Sequence, residues 1–115
     1  MIIRIKDLKL RTIIGCNDWE REKKQDIVIN VVIETIDAGA VKSDDLKESV
    51  DYRVITKRII EETEKTEFLL LERLAGFILD IVMGEERIKG ATVEVDKPHA
   101  LRFSESVSVE LSAKR

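Results

Sequence analysis

The sequence predicts an α+β domain: an antiparallel four-stranded sheet with two helices on one face, in the order ββααββ. Three observations carry this. Two N-terminal and two C-terminal stretches alternate apolar and polar residues, as half-buried strands do. Between them lie two segments whose apolar residues recur at helical spacing. The only proline and the only histidine fall together at a turn between the last two strands. The 115 residues amount to one domain, so 1–115 is expected to fold as a single unit.

The first strand runs from Met1 to Ile14. Its apolar phase switches near Asp7, the signature of a bulge, because one extra residue sends every later side chain to the opposite face. Gly15-Cys16-Asn17-Asp18 supplies turn chemistry, and Trp19 to Gln25 is a polar connection with Trp19 as an apolar cover. Asp26 to Asp37 is the clearest strand, with Ile27, Ile29, Val31 and Ile33 on one face. Its other face begins apolar at Val28, which predicts partial cover there too. Ala38 to Val50 is irregular, with a turn or cap at Ser43-Asp44-Asp45. A helix then starts at Asp51-Tyr52, with Val54, Ile55, Ile59 and Ile60 as its stripe, and frays through Glu64 to Glu67. A second spans Phe68 to Met83 on Leu70, Leu74, Phe77, Ile78 and Ile81, with Gly84 as its stop. The last strands are Ala91 to Val95 and Ser106 to Leu111.

Net charge is −3 with both signs interspersed, so no basic face for nucleic acid is evident. The lone Cys16 rules out an intrachain disulfide framework and fits a cytoplasmic setting. The charged start Met1 to Lys6 does not read as a signal peptide, and no apolar run reaches the ~20 residues that span a bilayer. So thin a sheet with apolar edges predicts an oligomer.

One His and scattered acids give no metal-ligand spacing, and the dispersed glycines form no phosphate loop. No metal or cofactor site is expected. Proton chemistry remains. Its candidates are Lys97 and His99 at the turn, Tyr52 at a helix start, and Glu20 and Glu72. Taken singly, each is equally an ordinary surface or packing residue.

Together they form a pattern. Ile13-Ile14-Gly15, Trp19-Glu20, Gln25, Asp51-Tyr52, Leu70-Leu71-Glu72-Arg73-Leu74-Ala75 and Asp96-Lys97-Pro98 occur in order over nearly the whole chain. In this the sequence resembles the dihydroneopterin aldolase family. Ile2 to Lys6, Leu10-Arg11-Thr12, Gln25 to Val31, Tyr52-Arg53, and His99-Ala100-Leu101-Arg102 with Ser106-Val107-Ser108 are most similar to its dihydroneopterin triphosphate 2′-epimerase branch. Asp18-Trp19-Glu20 looks more like the aldolase branch.

The resemblance implies the tunnelling fold, in which four subunits close their sheets into a barrel and two rings stack into an octamer, with active sites between subunits. It implies a small-molecule pterin substrate, no cofactor and no metal. By position, Glu72 grips the pterin 2-amino group and N3–H. Lys97 acts, through a water, on the 2′-hydroxyl; Glu20 orients the side-chain hydroxyls or that water; Tyr52 protonates C1′. Leu71, His99 and Arg102 complete the substrate-binding set, with Arg102, His99 or Arg53 as candidates to hold a triphosphate. The favoured outcome is epimerisation at C2′ of 7,8-dihydroneopterin triphosphate. The alternatives are an aldolase giving 6-hydroxymethyl-7,8-dihydropterin and glycolaldehyde for folate biosynthesis, and a non-catalytic oligomeric pterin-binding protein.

Overall fold

The computed structural model describes residues 1–36 and 38–115. The sheet contains β1 (Ile2–Ile14), β2 (Gln25–Thr35), β3 (Glu67–Phe68), β4 (Ile88–Lys97) and β5 (Val107–Lys114), in the order β3-β1-β2-β4-β5. Three helices accompany it: α1 (Ala40–Ser43), α2 (Tyr52–Thr63) and α3 (Leu71–Met83). The four expected strands are present and pair with one another antiparallel. The expected end of the second, Asp37, lies outside the described residues. The expected count of strands is short by one, the two-residue β3, and the expected count of helices by one, the single-turn α1.

The phase switch near Asp7 is a bulge. Ile5 pairs with Val31 and Leu8 with Ile29, so β1 uses one residue more than β2 between these pairs. Asp7 sits at φ 51°, a conformation that aspartate tolerates better than most residues. Asn30 fixes it: the Asp7 N–H donates to Asn30 Oδ1 at 2.9 Å, and Asn30 Nδ2 to Asp7 Oδ1 at 3.3 Å.

The core lies between the sheet and the helices. Ile27, Ile29, Val31 and Ile33 of β2, Val93 and Val95 of β4, and Leu74, Ile78 and Val82 of α3 are all buried. Burying such side chains stabilises the fold by about 1.5–3 kcal/mol each. The other sheet face carries the half-buried Val28, Asn30, Val32 and Glu34.

Several boundaries differ from expectation. The helix predicted from Phe68 begins at Leu71, because the preceding backbone is captured by β1. Ile13 and Ile14 pair in parallel with Glu67 and Phe68, and the Gly15 N–H donates to the Phe68 carbonyl at 3.2 Å. The Phe68 ring meets Phe77 edge-on at 5.4 Å. Leu70 is therefore an exposed flanking residue, not part of the stripe. On α2, Ile55 and Ile59 are buried, while Val54, one residue before Ile55, points outward.

Asp51 caps α2 by accepting from the Arg53 N–H at 3.0 Å. The helix gives way after Thr63, as expected, and its end is tied to the sheet. The Thr12 hydroxyl of β1 lies 3.0 Å from the carbonyls of both Thr63 and Thr66. Trp19 is no cover: it is largely exposed. Among the described residues no helix is long and apolar enough to cross a membrane.

Candidate active site

The turn after β1 is built around one carboxylate. Gly15 has φ 122°, a conformation that side chains other than hydrogen rarely adopt. A β-carbon there would also lie 2.2 Å from the Glu20 carboxyl group. The backbone thus packs directly on Glu20, which sits in a 3₁₀ turn, Asp18–Arg21. Glu20 Oε1 accepts from Asn17 Nδ2 at 2.8 Å and from the Asn17 N–H at 3.2 Å. Oε2 accepts from Gln25 Nε2 at 3.0 Å, and the same amide group donates to the Ile14 carbonyl at 2.7 Å.

Lys97 completes the cluster. It ends β4, whose neighbour Asp96 pairs with Val28 near the start of β2. That register carries the lysine to Glu20, and Lys97 Nζ donates to Glu20 Oε2 in a salt bridge. The side chains are 13% and 4% exposed, so water screens the pair little. Burial pushes the Glu20 pKa upward. Hydrogen bonds from Lys97, Gln25 and the Asn17 backbone, with the Lys97 charge, outweigh it and hold the pKa at about 2, against 4.5 ordinarily.

Arg21 ties this loop to the start of α3. Its Nη1 donates to the Gly15 and Phe68 carbonyls at 3.0 and 3.1 Å, and its Nη2 to the Glu67 carbonyl at 2.5 Å. The first turn of α3 carries Glu72, exposed and at the end where helix dipoles favour a carboxylate. The Leu71 side chain belongs to the core, so only its backbone at the helix N-terminus is left to meet a ligand.

The structure thus brings Glu20 and Lys97 into contact and sets Glu72 on an adjoining segment. Among the described residues, the other predicted side chains make no hydrogen bond to that pair. Tyr52 opens α2 and is 53% exposed, beside a shallow cleft of about 490 Å³ with Arg53, Thr56 and Lys57. Among the described residues, no hydrogen bond joins it to the Glu20–Lys97 pair. Arg102 lies over the exposed Phe103 ring, 5.5 Å from its centre. His99 lines a second cleft of about 240 Å³, with Arg11, Trp19, Lys24, Gln25 and Asp26.

Gly15, Asn17 and Arg21 were missed as site residues by the sequence reading. Gln25 was visible only as an amide five positions after Glu20. Among the described residues, no three His, Cys, Asp or Glu side chains gather as a metal site. Chemically, the cluster offers an ammonium held beside a carboxylate that stays ionised, a unit suited to binding hydroxyls and moving protons.

The small α+β domain holds a buried lysine–carboxylate pair at a strand end, an arrangement able to serve proton transfer, and comparison with known proteins gives its family. The profile of the family FolB, dihydroneopterin aldolase, matches residues 3–112. The chain belongs to this family. It is 50% identical over 113 residues to a dihydroneopterin triphosphate 2′-epimerase of Pseudomonas aeruginosa, covering 98% of this chain and 92% of that one. It is 46% identical to the epimerase of Escherichia coli K12, covering 99% and 95%. A dihydroneopterin aldolase of Haemophilus influenzae is 29% identical, covering 91% and 89%. Among solved structures, the E. coli dihydroneopterin aldolase in complex with neopterin superposes with a TM-score of 0.92 at 26% identity, covering 98% of each chain.

Proposed function

We propose that the protein epimerises 7,8-dihydroneopterin triphosphate at C2′, by breaking and re-forming the C1′–C2′ bond of its side chain. The observation that carries this is the gap in similarity. Relatives named as epimerases share 46–50% of residues over nearly the full chain, and a relative named as an aldolase shares 29%.

The chemistry follows from the substrate and the cluster. Lys97 first passes one ammonium proton to solvent; the neutral amine, with Glu20 beside it, then removes the 2′-hydroxyl proton through a water. The C1′–C2′ bond breaks, C2′ becomes an aldehyde, and the electron pair moves into the C=N bond of the dihydropterin ring as an enamine. The ring is thus its own electron sink, and the protein supplies positioning and proton transfer. The aldehyde turns over within the site and the enamine attacks its other face, inverting C2′. The proton returns to the new alkoxide. Glu72 holds the ring through paired hydrogen bonds to the 2-amino group and N3–H, a geometry suited to a carboxylate. Tyr52 stands apart from Glu20 and Lys97 within one chain, which favours a site shared by two subunits, with Tyr52 contributed across the boundary. The outer edge of β5 lacks a partner strand among the described residues, which favours closure of several sheets into a ring.

A second reading has its own support. Asp18-Trp19-Glu20 is aldolase-like, and the aldolase outcome shares the same enamine. If Tyr52 protonates C1′ before re-addition, glycolaldehyde leaves and 6-hydroxymethyl-7,8-dihydropterin remains. Incubation with 7,8-dihydroneopterin and, separately, its triphosphate separates the two. A monapterin-type product from the triphosphate supports epimerisation, hydroxymethyl-dihydropterin alone marks an aldolase, and no product from either removes both readings.

A further inference from the structure

The cleft holding His99 has a composition that the retro-aldol cluster does not use. Three segments far apart in sequence meet here: Leu10-Arg11-Thr12, Gln25 to Val31, and His99 to Arg102. Arg11, Gln25, Asp26 and His99 from these segments all line this one cleft. Lys24 adds a second cationic side chain beside them. Gln25 is the hinge between the two regions, because its side-chain amide also donates to Glu20 Oε2, the oxygen that binds Lys97. A group attached to the reacting side chain at Lys97 therefore has a short path into the cleft.

Arg11 is aimed rather than loose. Its Nη2 donates to the Lys24 carbonyl at 3.1 Å, and its Nε pairs with Asp26 Oδ1 at 3.2 Å. Among the described residues no partner is found for Arg11 Nη1, for Lys24 Nζ or for the His99 ring. The single carboxylate in the cleft, Asp26, is already engaged in holding Arg11. A fork-shaped guanidinium with a free end, a mobile ammonium and an imidazole suit the oxygens of a polyphosphate.

We propose that this cleft binds the phosphate chain of the substrate, and that Arg11 and Lys24 set the preference for a phosphorylated pterin. The proposal rests on the pterin reading above and places the phosphate on the β1 and β2 side of Lys97, in a cleft that neither Arg53 nor Arg102 lines. A held triphosphate also serves the chemistry: the aldehyde fragment carries it, so the fragment stays in the site long enough to re-add.

The test compares the full-length protein with Arg11→Ala, Lys24→Ala and the double variant, on dihydroneopterin triphosphate and on dihydroneopterin, at low and moderate salt. Among the described residues the Lys24 side chain has no partner, so its replacement leaves the fold intact even if loss of the Arg11–Asp26 pair does not. The expected result is a fall in kcat/KM on the triphosphate of about 10-fold for each single variant and more for the double. Turnover of dihydroneopterin stays within about twofold, and the loss shrinks as salt rises. Equal effects on both substrates, or none, overturn the proposal. Calorimetric titration with inorganic tripolyphosphate gives a separate reading: the wild type binds it and the double variant binds it at least about 10-fold more weakly. If the wild type converts neither pterin, the pterin reading fails by itself, and this titration alone decides whether the cleft takes a polyphosphate. Equal binding by wild type and double variant then overturns it.

Discussion

Lys97 Nζ and Glu20 Oε2, 77 positions apart in sequence, form a salt bridge that water scarcely reaches. Glu20 is held by three further hydrogen bonds, two from Asn17 and one from Gln25, so it is the fixed member and the lysine is the one placed by it. Replacing Lys97 by Met should leave the fold standing, at a cost of about 1–3 kcal/mol, because those donors remain. Turnover should fall about 100- to 10,000-fold, the usual worth of a positioned acid–base group. Single-turnover kinetics and denaturant unfolding of the same variant check the two halves.

The low pKa of Glu20 has a consequence for stability. The folded value of about 2 lies below the ordinary 4.5, so the folded state binds its proton less readily than the unfolded chain does. The stabilisation is fully present above about pH 4.5 and is lost as pH falls toward 2. Denaturant unfolding of wild type and Glu20→Gln across pH 2–7 should show curves that converge at the acid end, with the wild type the more stable above pH 5. Parallel curves would contradict this.

Glu72 is exposed at the first turn of α3 and, among the described residues, has no protein partner. Its value should lie in the ligand. Glu72→Gln is expected to weaken binding of a pterin about 10- to 100-fold, the worth of charged hydrogen bonds lost or mismatched, with thermal stability unchanged. Fluorescence titration with neopterin measures it.

In the proposed mechanism Tyr52 is the residue that separates the two outcomes. Epimerisation re-forms the C1′–C2′ bond and needs no proton at C1′, whereas aldol cleavage does. Tyr52→Phe should therefore suppress hydroxymethyl-dihydropterin at least about 10-fold and spare the epimerised product. Chromatography of both products from one reaction reads the ratio.

Gly15 admits no side chain. Gly15→Ala meets both a positive φ and the Glu20 carboxyl group, so it should destabilise the fold by at least about 1–3 kcal/mol and displace Glu20. A lower unfolding midpoint together with lost activity checks this; an unchanged midpoint would show that the turn has another way to settle.

Much of this architecture was legible in the residues. Alternation marked the four long strands, and the phase switch near Asp7 marked the bulge that lies between Ile5 and Leu8. The small pieces were not legible, because they depend on partners distant in sequence. Glu67-Phe68 becomes a strand only because the end of β1 has a free edge beside it, and this shifted the start of α3. Likewise Val54 looks as core-seeking as Ile55 until the sheet fixes which side of α2 faces inward. For the candidate site, Glu20, Lys97 and Glu72 stood among the titratable candidates and Gln25 within the family-like pattern, but the way Asn17 and Gln25 support Glu20 did not show. Asn17 and Gln25 are common turn and strand residues, and only the folded loop shows both donating to one carboxylate.

The most direct test of the retro-aldol account is to run the reaction on 7,8-dihydroneopterin triphosphate in deuterium oxide and locate deuterium in the product. Breaking and re-forming C1′–C2′ never removes the hydrogen on C2′, so the account predicts an epimerised product with no deuterium at C2′. Any 6-hydroxymethyl-dihydropterin formed beside it should carry one deuterium at C1′. An epimerised product deuterated at C2′ would mean that C2′ itself loses and regains a proton, and would contradict the account.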